Sequence, residues 1–261
     1  MLLEIFALFL TTALFGEKDA GFDPPQGPAL QAAQLLESIN LNSDAVEVQN
    51  TLQRTVELLS PQSPAGEKLA EFLANPDDAS DLIQVRDEVL QMLTFTPRHE
   101  AELPEGFPTF TPPGVIELKV YPKNRRAIAK QFFTLFGHIT SNKIAMTTPV
   151  RMEFENDKNG KLKQESMAFY YGDPTIGSVG EQGKVQVVEQ EGELVVALGH
   201  RGFRSQKVIA DGERRLLAWI EAHPEYQANG KLIVMGYNSP MVPAKSQFLE
   251  IQLPLKKTNS E

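Results

Sequence analysis

The sequence predicts an α+β protein: two tandem β-α-β-β repeats forming an antiparallel, barrel-like sheet with two helices, preceded by a small all-α helical bundle. Three observations predict this. Apolar residues recur at helical spacing as far as Phe95 and at the alternating period of strands from Val115 onward. Five prolines, Pro97, Pro104, Pro108, Pro112 and Pro113, separate the two regimes. Beyond them the order strand, helix, strand, strand is written twice, which implies an internal pseudo-twofold.

Residues 1–16, MLLEIFALFLTTALFG, are an apolar run of signal-peptide length, too short to span a bilayer comfortably, so no firm membrane span is expected. The run carries Glu4, has no Lys or Arg near its start and shows no A-x-A pattern. It reads as an export signal or membrane-proximal anchor, placing the protein in the periplasm or elsewhere outside the cytoplasm. The other reading is an apolar helix that docks, leaving the protein cytoplasmic. Residues 17–28 are turn-rich and predict a flexible tether.

Residues 29–95 predict a bundle. Leu35, Leu36 and Ile39 mark one apolar stripe, and Val48, Leu52, Val56 and Leu59 a second. Leu69, Phe72 and Leu73 follow a Ser63-Pro64 start. Leu82, Val85, Val89, Leu90 and Leu93 follow Asp77, Asp78 or Ser80 as caps. The bundle contains no His and its carboxylates fall on wet faces, so its role is contact with a protein partner or spacing. Residues 96–114 are a linker or an extended wrapping segment that holds the domain boundary.

The second domain runs over residues 115–256, with a tail at 257–261. Its first half reads as strand 115–121, helix 126–142, and strands 144–155 and 165–172 joined through the turn Asp157-Lys158-Asn159-Gly160. Its second half reads as strands 185–189 and 194–200, helix 206–223, and strands 231–237 and 248–255. A sheet closing over two helices leaves a cleft between them, a usual place for an apolar ligand.

Composition excludes several functions. At 261 residues, with 41% apolar and 23% charged residues, the chain can bury a sizeable core. A net charge of −9 argues against a nucleic-acid partner. The acidity is uneven: residues 1–95 carry 4 Lys/Arg against 15 Asp/Glu, whereas residues 96–261 carry 21 against 19. The second domain therefore tolerates an anionic ligand. With no Cys there is no disulfide, thiolate ligand or Cys nucleophile. No G-x-S-x-G elbow, P-loop or G-x-G-x-x-G occurs, so nothing indicates an enzyme.

The most specific stretch is Lys143 to Val150, KIAMTTPV, placed behind an aromatic helix. In an extended chain Ile144, Met146 and Thr148 share one face and Ala145, Thr147 and Pro149 the other. Pro149 cannot donate to a central ladder, so the motif belongs at a strand end, bulge or edge. Met146 on such a face either fills core or lines a cavity.

The run FFTLFGHITSNKIAMTTPV resembles the SOUL family of heme-binding proteins, where an aromatic helix precedes K-I-x-M-T-x-P-V. Ile116 to Pro122, VVALGHRGF at 195–203, and GYNSP at 236–240 with Glu250 agree with further strands of that family. The resemblance spans roughly residues 110–256. It departs where the helix-to-motif connection is short and where Gln247 and Phe248 replace a common Arg-Asn pair, both of which bear on the pocket rim.

The resemblance implies two β-α-β-β repeats that bind heme or another tetrapyrrole by apolar enclosure, often without a firmly established axial ligand, in a carrier or sequestering role. The same architecture resembles GyrI-like effector-binding domains. That implies a pocket for other apolar or cationic small molecules, and a non-catalytic interaction module is the third reading. A porphyrin is a flat apolar disc with two propionates, so its site needs apolar walls and rim cations. Phe132, Phe136 and Ile139 recur at i, i+4 and i+7 on the helix, followed by Ile144 and Met146. Lys143, Lys130, Arg125 and Arg126 flank them as candidate rim cations. Each has a plain alternative, core for the aromatics and solvated surface for the cations. Among His99, His138, His200 and His223, His138 is the best candidate axial ligand, with Met146 another. No His/Glu spacing resembles a zinc site.

Overall fold

A computed structural model describes residues 27–39, 44–59, 63–75, 79–95, 98–158 and 160–258. The apolar run 1–16 and the tether up to residue 26 lie outside the described residues, as do 259–261. No helix among the described residues is long and apolar enough to cross a membrane. These residues form two compact units: 27–95 with Pro112–Val115, and Arg98–Thr111 with 116–258. The proline-rich stretch is thus divided between the units.

The first unit has four helices: α1 (Gly27–Ser38), α2 (Ala45–Leu58), α3 (Pro64–Ala74) and α4 (Ala79–Thr94). Gly27 and Pro28 therefore open a helix, where the sequence reading had tether, because Pro at a first turn costs no helical hydrogen bond. Asp44 Oδ1 accepts from Val46 N–H at 2.9 Å, and Ser63 Oγ accepts from Gly66 N–H at 3.1 Å with Pro64 entering the helix. These caps satisfy donors that a helix start leaves orphaned. Leu36, Leu52, Leu69 and Val89, one from each helix, meet in a single core.

The described residues of the second unit form ten strands, two α-helices and a 3-10 turn at Ala244–Ser246. In chain order they are β1 (Ile116–Tyr121), β2 (Asn124–Ala129), α5 (Phe132–Ser141), β3 (Val150–Asn156), β4 (Leu162–Tyr170), β5 (Gly180–Gln182) and β6 (Val185–Gln190). There follow β7 (Glu193–Arg201), α6 (Gln206–Ala222), β8 (Tyr226–Ala228), β9 (Leu232–Gly236) and β10 (Phe248–Lys257). The sheet is antiparallel, in the order β1-β7-β10-β9-β3-β4-β2-β6-β5, with β8 on β10.

The duplication is visible in the pairing. β2-α5-β3-β4 and β7-α6-β9-β10 are equivalent, since in each the first strand pairs with the last and the last two pair together. The halves join through β3 and β9. β1 pairs with β7 and β6 with β2, so each half donates its leading strand to the other.

Three sequence readings are corrected here. Residues 124–129 are a strand rather than the start of the helix. Arg-Arg-Ala-Ile-Ala is composed of helix formers, but ladders to β4 and β6 on both sides override that weak preference. The first repeat accordingly begins at β2, not at residue 115. Third, the ladder ends at β1 and β5 and does not close; β5, at three residues, supports little further pairing.

Leu135 and Ile139 of α5 and Ile209 and Leu216 of α6 share one core with Met152, Phe169, Val196 and Ile251 of the sheet, which places both helices on one face. A β-carbon on Gly212 would overlap Ile251, so its lack of a side chain lets α6 approach β10.

Candidate functional site

α5 ends in a Schellman turn. Ile144 N–H donates to Ile139 C=O at 2.9 Å and Lys143 N–H to Thr140 C=O at 3.2 Å, with Lys143 in the left-handed region at φ 54°. The motif then runs extended as a loop up to Pro149, and β3 begins only at Val150, later than the sequence reading had it. The loop is pinned by side chains instead of a ladder. Thr147 Oγ1 donates to Tyr170 C=O at 2.7 Å and Thr148 Oγ1 to Ala101 C=O at 3.1 Å, while Thr148 N–H reaches Glu102 C=O at 3.0 Å. The thread of the loop alternates: Ile144 and Met146 pack half-buried on the core and Ala145 points to solvent.

Of the residues singled out from the sequence, Ile139 is buried core. Phe132, Phe136, Ile144 and Met146, together termed the ledge, are half-buried and pack against that core, so each keeps part of its side chain toward solvent. Phe132 and Phe136 stack at 6.0 Å, and Phe132 meets Phe169 edge-on at 5.1 Å. Phe133, which the stripe passed over, is 60% exposed beside them. Its signal was present in the sequence: FFTLF is apolar on more than one side.

Lys143 and Lys130 are exposed near the ledge in sequence. The other two flanking cations are not at a rim. Arg125 is bound to Glu189 Oε2 at 2.7 Å and to the carbonyls of Ile176 and Gly177, and Arg126 is buried beside the Tyr170 ring. Both follow from residues 124–129 being an interior strand.

A left-handed lysine is costly, since a side chain in that conformation crowds its own backbone and glycine does not. Lys143→Gly is expected to raise the stability of the second unit by about 1 kcal/mol in urea unfolding. An unchanged or lower midpoint would mean that the Lys143 side chain itself supports the turn.

His138 Nε2 sits 2.8 Å from Tyr171 Oη, and Asn142 Nδ2 donates to the His138 carbonyl at 2.8 Å. Burial lowers the His138 pKa and raises that of Tyr171, so the imidazole is neutral and the phenol keeps its proton. In either tautomer Nε2 is engaged with Tyr171. His200 is half-buried on β7, its pKa lowered by burial and then by Arg215. His99 packs against Phe110 and Phe248, and the His223 ring stacks on Trp219 at 3.8 Å. Among the described residues no group of three or more His, Asp or Glu is placed to hold a metal ion.

Part of the sheet face opposite the helices is covered. Residues 98–111 cross it, with Phe107 edge-on to Tyr121 at 5.0 Å and to Tyr170 at 4.8 Å. Phe110 packs on Phe248 at 4.4 Å. Beneath them Glu250, fully buried, accepts from Lys119 Nζ at 2.6 Å, Thr111 N–H at 2.5 Å and Tyr237 Oη at 3.1 Å, and also from Gln252. Burial and the Glu250 charge push the Tyr121 and Tyr237 phenols well up, so both keep their protons; Tyr237 donates to Glu250, whereas Tyr121 Oη accepts from Gln252 Nε2 at 2.8 Å. Beside this cluster Arg151 pairs with Glu193 at 2.7 Å and Glu153 at 3.0 Å. None of these partnerships was read from the sequence, because most of them join residues far apart in the chain.

Two β-α-β-β repeats in one antiparallel sheet, both helices on one face and an apolar ledge along the first, define an α+β protein of the two-repeat class. The family model described as SOUL heme-binding protein matches residues 110–254, more than half of the chain, and the chain belongs to that family. No curated protein matches it. Solved structures to which it is similar include a hydrolase from Listeria innocua, at 12% identity and a TM-score of 0.44, covering 56% of this chain and 94% of that one. The EcmrR C-terminal domain is similar at 15% identity and a TM-score of 0.41, over 55% of this chain and 98% of that one. A third is SAV2435 bound to tetraphenylphosphonium, at 10% identity and a TM-score of 0.35, over 54% and 94%.

Proposed function

We propose that the second unit binds heme or a related tetrapyrrole as a non-catalytic carrier or sequestering protein, at the ledge formed by α5 and the loop behind it. What supports this beyond family membership is the ledge itself. Phe132, Phe136, Ile144 and Met146 each keep an apolar side partly exposed, and Lys143, adjacent to Ile144 in sequence, holds a conformation that glycine would adopt more cheaply. Retaining a lysine there keeps a cation next to Ile144.

The residues fit a macrocycle held by its face. The aromatic side chains supply dispersion and area, Met146 adapts to an irregular outline, and Lys143 and Lys130 meet carboxylates at the rim. With Nε2 of His138 engaged by Tyr171, the apolar contacts carry the affinity and His138 ligates iron only if that hydrogen bond is given up. The group would supply its own redox and ligand-exchange chemistry when bound. On the opposite sheet face Phe107 and Phe110 occupy the ground over Tyr170 and Phe248, which favours the α5 side.

Hemin titrated into the full chain is expected to give a saturable Soret shift. Met146→Glu should weaken it by on the order of 2 kcal/mol, about thirtyfold in Kd, because a carboxylate would be placed against apolar surface and facing propionates. An absent Soret response, or one indifferent to Met146→Glu, overturns the reading.

A further inference from the structure

A separate concavity of about 540 Å³ lies between the β3–β4 hairpin and the start of α6, away from the α5 ledge. Its floor is core: Phe154, Leu162 and Ile209 are 5%, 7% and 2% exposed. Its walls are cationic. Lys161 and Lys163 come from the hairpin and Arg204 from the turn before α6, against the single carboxylate of Asp157. The Arg204 guanidinium lies across Met152 and, among the described residues, meets the side-chain oxygen of Gln164 at 3.4 Å.

The wall is built rather than incidental. Gln206 Nε2 donates to Leu162 C=O at 3.1 Å and ties α6 to the hairpin, and Ser205 Oγ caps Val208 N–H at 3.1 Å. The first turn of α6 contains no acidic residue, and of the three cations Lys163 lies 3.9 Å from the exposed Glu165 carboxylate. An apolar floor under a rim of unlike charge is complementary to one kind of small molecule, an apolar tail that ends in an anion.

We infer that this concavity binds a small amphipathic carboxylate, with the tail on Phe154, Leu162 and Ile209 and the carboxylate on Arg204. The site is distinct from the ledge proposed for the tetrapyrrole and does not depend on it. Lys161 and Lys163 steer the anion, while Arg204 makes the charge-assisted contact.

Isothermal titration of the full chain with dodecanoate, and with dodecylammonium of the same length, tests this. Dodecanoate is expected to bind saturably and the ammonium not to bind. Arg204→Gln should weaken dodecanoate at least about tenfold, since a hydrogen bond to a charged group is lost. Backbone amide shifts should move at residues 161–164 and 204–209, and hemin titration of Arg204→Gln should match the parent. Equal binding of both amphiphiles, no weakening in Arg204→Gln, or shifts confined to other residues overturns the inference. A parallel loss of hemin affinity overturns it too, because one site would then serve both ligands. If hemin fails to bind at all while dodecanoate behaves as stated, the inference stands and the tetrapyrrole reading falls.

Discussion

Replacing Lys119 with methionine is expected to destabilise the second unit by about 3–5 kcal/mol, the cost of leaving a buried charge without its counter-charge. Lys119 is 3% exposed and Glu250 0% exposed in their side chains, with Nζ and Oε1 2.6 Å apart. Water cannot reach the carboxylate that methionine would strand. Thr111 N–H, Tyr237 Oη and Gln252 would still donate to it, which limits the loss without cancelling the charge. Glu250→Gln introduced into Lys119→Met removes that charge and should recover on the order of 1–3 kcal/mol in a double-mutant cycle. Urea unfolding followed by far-UV circular dichroism is the measurement. If the single variant loses less than about 1 kcal/mol, the pair is not the buried interaction described here.

Phe110→Ala is expected to cost about 3–5 kcal/mol, in the range found when a large aromatic leaves a core. Phe110 is 4% exposed and contacts Phe248 and Tyr237. Its removal leaves a hole where the 98–111 segment seals the sheet, next to the Thr111 amide that donates to Glu250. The cost should therefore be non-additive with Lys119→Met, since both weaken the same seal. The matching observation is faster proteolysis within residues 98–111 of the variant. Strict additivity of the two substitutions would separate the segment from the Glu250 cluster.

The two variants bear on function through the same contacts. Residues 98–111 hold Thr148 of the motif by two hydrogen bonds and Ser239 by Glu100. Loosening them frees the loop that carries Met146. In the motif KIAMTTPV, Thr147 and Thr148 fix in place the loop that carries the proposed contact residues Lys143, Ile144 and Met146.

Much of this molecule is written locally. The change of period near residue 115, the Ser63-Pro64 helix start, the Asp157–Gly160 turn, the amphipathic α6 and the duplicated order of elements all depend on residues within a few positions of one another. The same holds for the pair Phe132 and Phe136, which helical spacing puts side by side. Phe133 and the short strands β5 and β8 escaped, the first for lying off the stripe, the others because three residues carry no period.

What the chain alone could not express is every property that depends on pairing across distance. Arg126 is interior because β4 and β6 flank it, β1 belongs with β7 because the halves exchange their leading strands, and Lys119 meets Glu250 although 131 positions separate them. His138 looks available until Tyr171, 33 positions on, is folded against it. Periodicity reports which way a side chain points from its own element. Only closure of the tertiary structure decides what stands opposite, and with it which charges are neutralised and which surfaces remain open.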